Sequence, residues 1–534
     1  MPNFLQPKLI LKITAICLLF YILSFFAYLF PIFNSLIFWL IVIGAFALTI
    51  KKLEYGVFIV LTELFIGVKG YLFSFDFGGR FVLSIRIALF AMVFLIWLFR
   101  RAKTYEAGKY NFLYSKFFVP FAIFTFFILI GFSTGLINGN FAKNIFFDAN
   151  GYLYLAFVFP IFDIIHNKIK VRKLIQYLVA GSLAITILTF YVSIGFTIMH
   201  QDARPGMAGA KSTEQTLESE EAGEFMISHS IFAKEELMSR AFFRNLDTPK
   251  PYIYRWTQDT GMGEISYLTG PFFRFFSAGQ LYSALVFIIL LAKFLQDKKL
   301  QFKNNIFQLL ISALCGLAVI VGFSRSLWIG LVFALIFLLF NLPKRRAAKI
   351  ALYSIGIISL IIIIFGTLLP QVYDVVGDRV ASIFQPKTEA AASNRYNVLT
   401  PALQKIKEHP ILGSGYGTTI EYTSVALEKF GTVRVFSFEW AYLDTIIEIG
   451  ILGLLSYLWF IFSIFKDGYK TKEEDNKKLV ICFLTGIVLI LFTNITTPFL
   501  NHPLGIGFIL ITAAIIYALE KIKAQTITKS SSKA

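Results

Sequence analysis

Cysteine and charge are both scarce in this 534-residue chain. The three cysteines, Cys17, Cys315 and Cys482, fall inside separate apolar runs. They read as packing residues, which excludes a disulfide framework and a thiolate metal site. The five histidines are scattered, none paired at helical i, i+4 spacing, and no metal-ligand spacing occurs, so no metal and no cofactor is expected. Charged residues make up only 15% against 57% hydrophobic, with a mean hydropathy of +0.70. A chain this apolar cannot cover its own surface in water, so a bilayer must. The first apolar run is followed by another, without a small-residue cleavage motif, and reads as a retained span rather than a cleaved signal peptide. No internal repeat of transporter type is visible. The single biased tract is a Ser/Lys tail at 529–533.

What is present is a charge rhythm laid over a hydrophobic one. About fourteen apolar runs recur between residues 10 and 519, and twelve to fourteen of them are taken as spans. The run at 54–73 reads as one span, 151–165 as a short one, and 349–369 as the last before a long loop. Basic clusters follow every second run: Lys51-Lys52, Arg100-Arg101-Lys103, Lys168 to Lys173, Lys293 to Lys303, Lys344-Arg345-Arg346, Lys466 to Lys478 and Lys521 to Lys533. With both termini cytoplasmic, every cluster is cytoplasmic, as the positive-inside rule requires. The net charge of +18 therefore reads as orientation against an anionic leaflet, not as a nucleic-acid surface.

The fold expected is all-α, a polytopic membrane protein with about 12–14 transmembrane helices and two long extracytoplasmic loops. It divides into N-terminal helices (1–198), a first long loop (199–270), central helices (271–370), a second, site-bearing loop (371–442), C-terminal helices (443–519) and a cytoplasmic tail (520–534). The first loop turns from acidic to aromatic and basic, and the bland alternative of an unstructured linker stays open for it.

Candidate chemistry gathers on the outward face. Arg325 sits at a tight outward turn in "GFSRSLWIGL", and Arg274 lies in "GPFFRFFSAGQ" where the first loop returns to the membrane. Each is a candidate anion ligand, with lipid-headgroup anchoring as the alternative. Arg86, inside the fourth span, is expected to meet Glu63 or Lys69 of the third span across helices and to form a buried ion pair, with outward snorkelling as the alternative. In the second loop, residues 394–418 read "NRYNVLTPALQKIKEHPILGSGYGT", with helical spacing of Val398, Leu399, Ala402, Leu403 and Ile406. Arg395 is expected to open this helix and Pro410 to stop it. His409 reads as a base or a helix-end residue. Gly413 and Gly415 permit positive φ or close approach to a ligand. Arg379 adds a further outward cation.

These segments resemble the O-antigen ligase and polymerase superfamily of bacterial envelope glycan assembly. The resemblance rests on "FSRSLWIGL" (323–331), on the Arg–helix–Pro-x-x-Gly-x-Gly pattern of 394–417, and on "EWAYLDTIIEIGILGLL" (439–455), which ends in Glu448, Gly450 and Gly453. It implies a metal-independent glycosyltransferase of the inner membrane. Its donor would be an undecaprenyl-diphosphate-linked glycan and its acceptor a lipid-linked unit or lipid A–core, with an envelope-assembly complex as possible company. Arg325 and Arg395 would grip the diphosphate, Arg274 and Arg379 would assist, and His409, Gly413 and Gly415 would contact substrate. Ligases of the family carry a His-Asn pair before the re-entry helix; Glu439 and Trp440 stand there in this chain. Glu439 thus becomes the candidate base, or a loop carboxylate pairing with Arg434. A flippase of lipid-linked saccharide and a non-catalytic scaffold are the rival readings.

Overall fold

The computed structural model describes residues 5–79, 81–103, 112–199, 251–269, 272–297, 302–348, 390–424 and 431–531. The expected span at 349–369, Arg379 and most of the first long loop lie outside the described residues.

Helices α1 (Pro7–Leu29) and α2 (Pro31–Lys51) turn about Phe30, each begun by a proline whose missing N–H costs nothing at that position. Then come α3 (Leu53–Ile66), α4 (Ile85–Lys103) and α5 (Phe118–Ile137). A broken traverse follows, made of α6 (Ala142–Ala149), a 3₁₀ stretch (Asn150–Phe157) and α7 (Val158–Ile164). After the long α8 (Lys168–Met199), the short α9 (Tyr252–Asp259) leads to α10 (Gln280–Gln296), α11 (Phe302–Val321) and α12 (Arg325–Phe340). The chain closes with α13 (Ala390–Glu408), α14 (Ala441–Tyr469), α15 (Glu474–Thr493) and α16 (Pro503–Ser531).

Among the described residues, eight helical stretches are long and apolar enough to cross a membrane, and α10, α11 and α12 are shorter apolar helices. The protein is a mostly helical, multi-pass membrane protein. Lipid-exposed backbone must bond internally, which is why the apolar runs become helices. α8 packs against α1, α3 and α10; α10 also meets α11 and α15; α12 lies on α15 and α14 on α5. The middle of α16 is fully buried at Leu510, Ile511 and Ala514, whereas α2 exposes Ile32, Leu40 and Ile43 as a lipid-facing stripe.

Among the described residues, three two-stranded antiparallel hairpins, which the sequence pattern did not announce, ornament the helical bundle. They are β1–β2 (Ser74–Asp76, Val82–Ser84), β3–β4 (Glu264–Thr269, Phe272–Phe276) and β5–β6 (Ile420–Ser424, Gly431–Val435).

Two boundaries differ from expectation. α3 stops at Ile66, well short of residue 73. Val68 adopts φ +48, and its carbonyl accepts Arg86 Nη1 at 2.6 Å, so the backbone group that would extend the helix is taken by a buried guanidinium. The same Arg86 grips both Glu63 oxygens, at 2.9 and 3.2 Å, forming the expected buried pair. α13 begins at Ala390, five residues before Arg395, because Ala390-Ala391-Ala392 favours helix. Arg395 therefore stands in the second turn rather than at the helix N-terminus.

Candidate active site

α13 carries its apolar stripe onto β5 and α14: Val398 and Ala402 are buried with Ile420 and Ile447, and Ile406 packs alongside. This seating leaves Arg395 facing the start of α14. Its guanidinium pairs with Glu439, 44 positions away, and its carbonyl accepts the Trp440 indole N–H at 2.8 Å. Glu439 does not pair with Arg434. Register places Arg434 opposite Glu421 on the β5–β6 hairpin, and Arg434 Nε donates to that carboxylate at 2.8 Å. The Arg395 and Glu439 side chains are 25% and 52% exposed. An ion pair this open contributes only about 0–1 kcal/mol to stability, so both groups are accessible chemistry rather than a structural clamp.

After α13 the chain dives back as "HPILGSGYG". His409 is exposed, and its carbonyl accepts the Gly413 N–H at 3.0 Å, as a helix-end residue does. The segment reaches a break in α14, where Gly450 adopts φ +71. The break frees carbonyls that helix would otherwise use. Ser414 N–H donates to Ile447 (2.6 Å), Gly415 N–H to Glu448 (3.2 Å), and Ile451 N–H to Pro410 (3.0 Å). A methyl on Gly413 would sit 2.6 Å from the Gly450 nitrogen, and one on Gly415 would sit 2.6 Å from Gly135 Cα. The close approach these glycines allow is thus to the protein's own backbone. Asn138 and Asn140 donate to the Ser414 and Tyr416 carbonyls at 2.9 and 2.8 Å, fastening the segment to the end of α5.

Beneath this segment lie three acids: Glu448, known from the sequence only as part of the re-entry motif, and Asp148 and Asp444, which the sequence pattern did not single out. Asp444, Glu448 and Asp148 are all buried, within electrostatic reach of one another. Asp148 Oδ2 accepts the Gly417 N–H at 2.7 Å, and the Tyr152 and Tyr416 rings lie 5.8 Å apart beside them. Glu448 Oε2 and the Tyr152 and Tyr416 hydroxyls have no hydrogen-bond partner among the described residues. The signal was available: Asp444 and Glu448 are i, i+4 acids on one face of an apolar helix.

The remaining described candidates sit on other elements. Arg325 is the first residue of α12, and its neighbour Ser326 accepts Thr497 Oγ1 at 2.9 Å beyond the end of α15. Arg274 lies on β4, its Nε donating to Ser266 across the hairpin at 2.7 Å.

Residues 310–458 match the O-antigen ligase family model. That match puts the segment in the O-antigen ligase/polymerase superfamily and supports a membrane enzyme of that general type. No curated protein matches the chain significantly. The O-antigen ligase segment contains Arg325, Arg395, Glu439 and the whole Gly413–Gly450 junction, while Arg274 precedes it.

Proposed function

We propose that the protein is a glycosyltransferase that moves a glycan from an undecaprenyl-diphosphate-linked donor to a lipid-linked or lipid A–core acceptor at the outer face of the inner membrane. The observation that carries this reading is the solvent-open Arg395–Glu439 pair inside the O-antigen ligase segment. A guanidinium fork matches phosphate oxygens in bidentate fashion. A diphosphate arriving at Arg395 competes with Glu439 for that fork and releases the carboxylate beside the acceptor. Glu439 then takes the proton of an acceptor hydroxyl. The hydroxyl oxygen bonds to the anomeric carbon, the anomeric C–O bond to the diphosphate breaks, and the lipid diphosphate leaves with the electron pair. Arg395, with Arg325 from α12, stabilises the charge that develops there. Arg274 and Arg379 hold supporting places in the reading.

The test is complementation of a glycan-deficient host with Arg395→Ala and Glu439→Ala, reading surface glycan on a gel. Loss of the chain-length ladder with single repeats still attached identifies a polymerase. Loss of all attachment identifies a ligase. Wild-type glycan from both variants overturns the site, and lipid-linked repeats trapped on the cytoplasmic face favour the flippase.

A further inference from the structure

A concave site lies outside the O-antigen ligase segment altogether. It is a cavity of ≈ 520 Å³ between the facing ends of α1 and α2, the stretch from Lys69 to Ser74 with Val82, and the end of α9. Small-molecule sites occupy about 300–1,000 Å³ but are usually apolar. This one is walled by hydroxyls, amides and phenols. Tyr28 Oη donates to Asp259 Oδ2 at 2.6 Å, and Asn34 exchanges bonds with the backbone N–H and hydroxyl of Ser74 at 3.3 and 3.4 Å. Behind the wall, Ser24 Oγ takes the Trp256 indole N–H at 3.1 Å and donates to the Leu72 carbonyl at 2.7 Å. The polar groups are therefore held in place by α1, α2 and α9 together, so a ligand meets a preorganised surface.

Charge decides what chemistry fits. The lining contains one ammonium, Lys69, and one carboxylate, Asp259. The two balance, and among the described lining residues no cluster of cations gathers to hold an anion, as a phosphate site requires; the α2 N-terminus beside Asn34 opens with Pro31, which has no N–H to offer one. What remains is a dense mixture of donors and acceptors, the complement of a polyol whose every hydroxyl both gives and accepts a hydrogen bond. We infer that this cavity is a saccharide-binding site, separate from the Arg395–Glu439 pair. The inference rests on the glycan-transfer reading for one point alone: that the saccharide is part of the glycan handled by the enzyme.

The test uses the full-length protein in detergent and, as probe, the saccharide released by mild acid from the host's lipid-linked glycan. Binding is read by saturation-transfer NMR and titration, without turnover. Two variants are compared with wild type: Lys69→Ala/Gln258→Ala, at exposed rim positions, and Ser74→Trp, which fills the cavity from β1. Wild type is expected to bind and both variants to bind at least about tenfold more weakly, the loss of one or two hydrogen bonds. Absence of wild-type binding, equal binding by all three proteins, or saturation by a short-chain phosphatidylglycerol in place of the saccharide overturns the inference. Because no transfer is measured, a negative result at Arg395 in cells and a negative result here are separate outcomes.

Discussion

Trp440 donates its indole N–H to the Arg395 carbonyl at 2.8 Å, so the residue beside Glu439 is fastened to the very residue that Glu439 holds. The bond joins the residue that precedes α14 to the second turn of α13 and sets the spacing of the pair. Trp440→Phe keeps the ring and loses one hydrogen bond, worth about 1 kcal/mol. Glycan output is expected to fall about fivefold. Arg395→Lys keeps the charge and loses the fork, and is expected to fall more than tenfold. Gel densitometry of surface glycan, normalised to protein in the membrane, checks both. Wild-type output from Trp440→Phe would show the tie to be dispensable.

The re-entrant segment makes a sharper demand. Gly450 at φ +71 lies against the Ile411 and Leu412 backbone, and Gly413 at φ +78 lies against Gly450. A side chain at Gly450 must pay about 1–2 kcal/mol for the left-handed backbone and must also push neighbouring main chain aside. Gly450→Ala is expected to lower the melting temperature in detergent by several degrees and to abolish glycan output, while Gly44→Ala, at an exposed position of α2 where a methyl meets nothing within 4 Å, keeps the output. A melting curve for Gly450→Ala that overlays wild type would refute the packing role.

Much of the bundle was legible because hydropathy and the backbone's need for internal bonds both point to helices. The stopping point of α3 was not legible, since it depends on a side chain 18 residues later that takes the Val68 carbonyl. Nor was the partner of Glu439. Nearness in sequence suggested Arg434, but strand register gave that residue to Glu421, and the packing of α13 delivered Arg395 instead. The glycines were recognised as places of close approach, yet what approaches is a broken helix that no local pattern locates. Asp148 joins Asp444 and Glu448 only through tertiary packing, although the latter two were visible as an i, i+4 pair.

His502 offers a pH signature. Burial, with Arg86 and Lys69 nearby, holds its imidazole down to about 3 from an ordinary 6.5. Its Nδ1 accepts the Leu504 N–H at 3.3 Å, a bond that protonation of that nitrogen removes. The folded state thus binds fewer protons than the unfolded state. The stability this ring contributes is fully present above about pH 6.5 and drains away as pH falls towards 3. Between pH 7.5 and pH 5 the loss is ~2 kcal/mol. His502→Gln is expected to flatten the wild-type decline in melting temperature over that window, and parallel curves for the two proteins would contradict it.

The Arg86–Glu63 pair tests how the bundle tolerates buried charge. Both side chains are less than a tenth exposed, and Arg86 donates from its third nitrogen, Nη1, to the Val68 carbonyl. Removing one partner strands the other, which costs about 3–5 kcal/mol for a buried pair. Glu63→Gln and Arg86→Met are each expected to lower detergent stability severely. In Glu63→Gln/Arg86→Met the stranded charge is gone, so the double variant should be more stable than the sum of the single losses predicts. Its shortfall against wild type is then set by the Val68 carbonyl, left without its guanidinium donor. A double-mutant cycle on melting temperature measures the coupling, and strict additivity of the two losses would mean that the charges do not depend on each other.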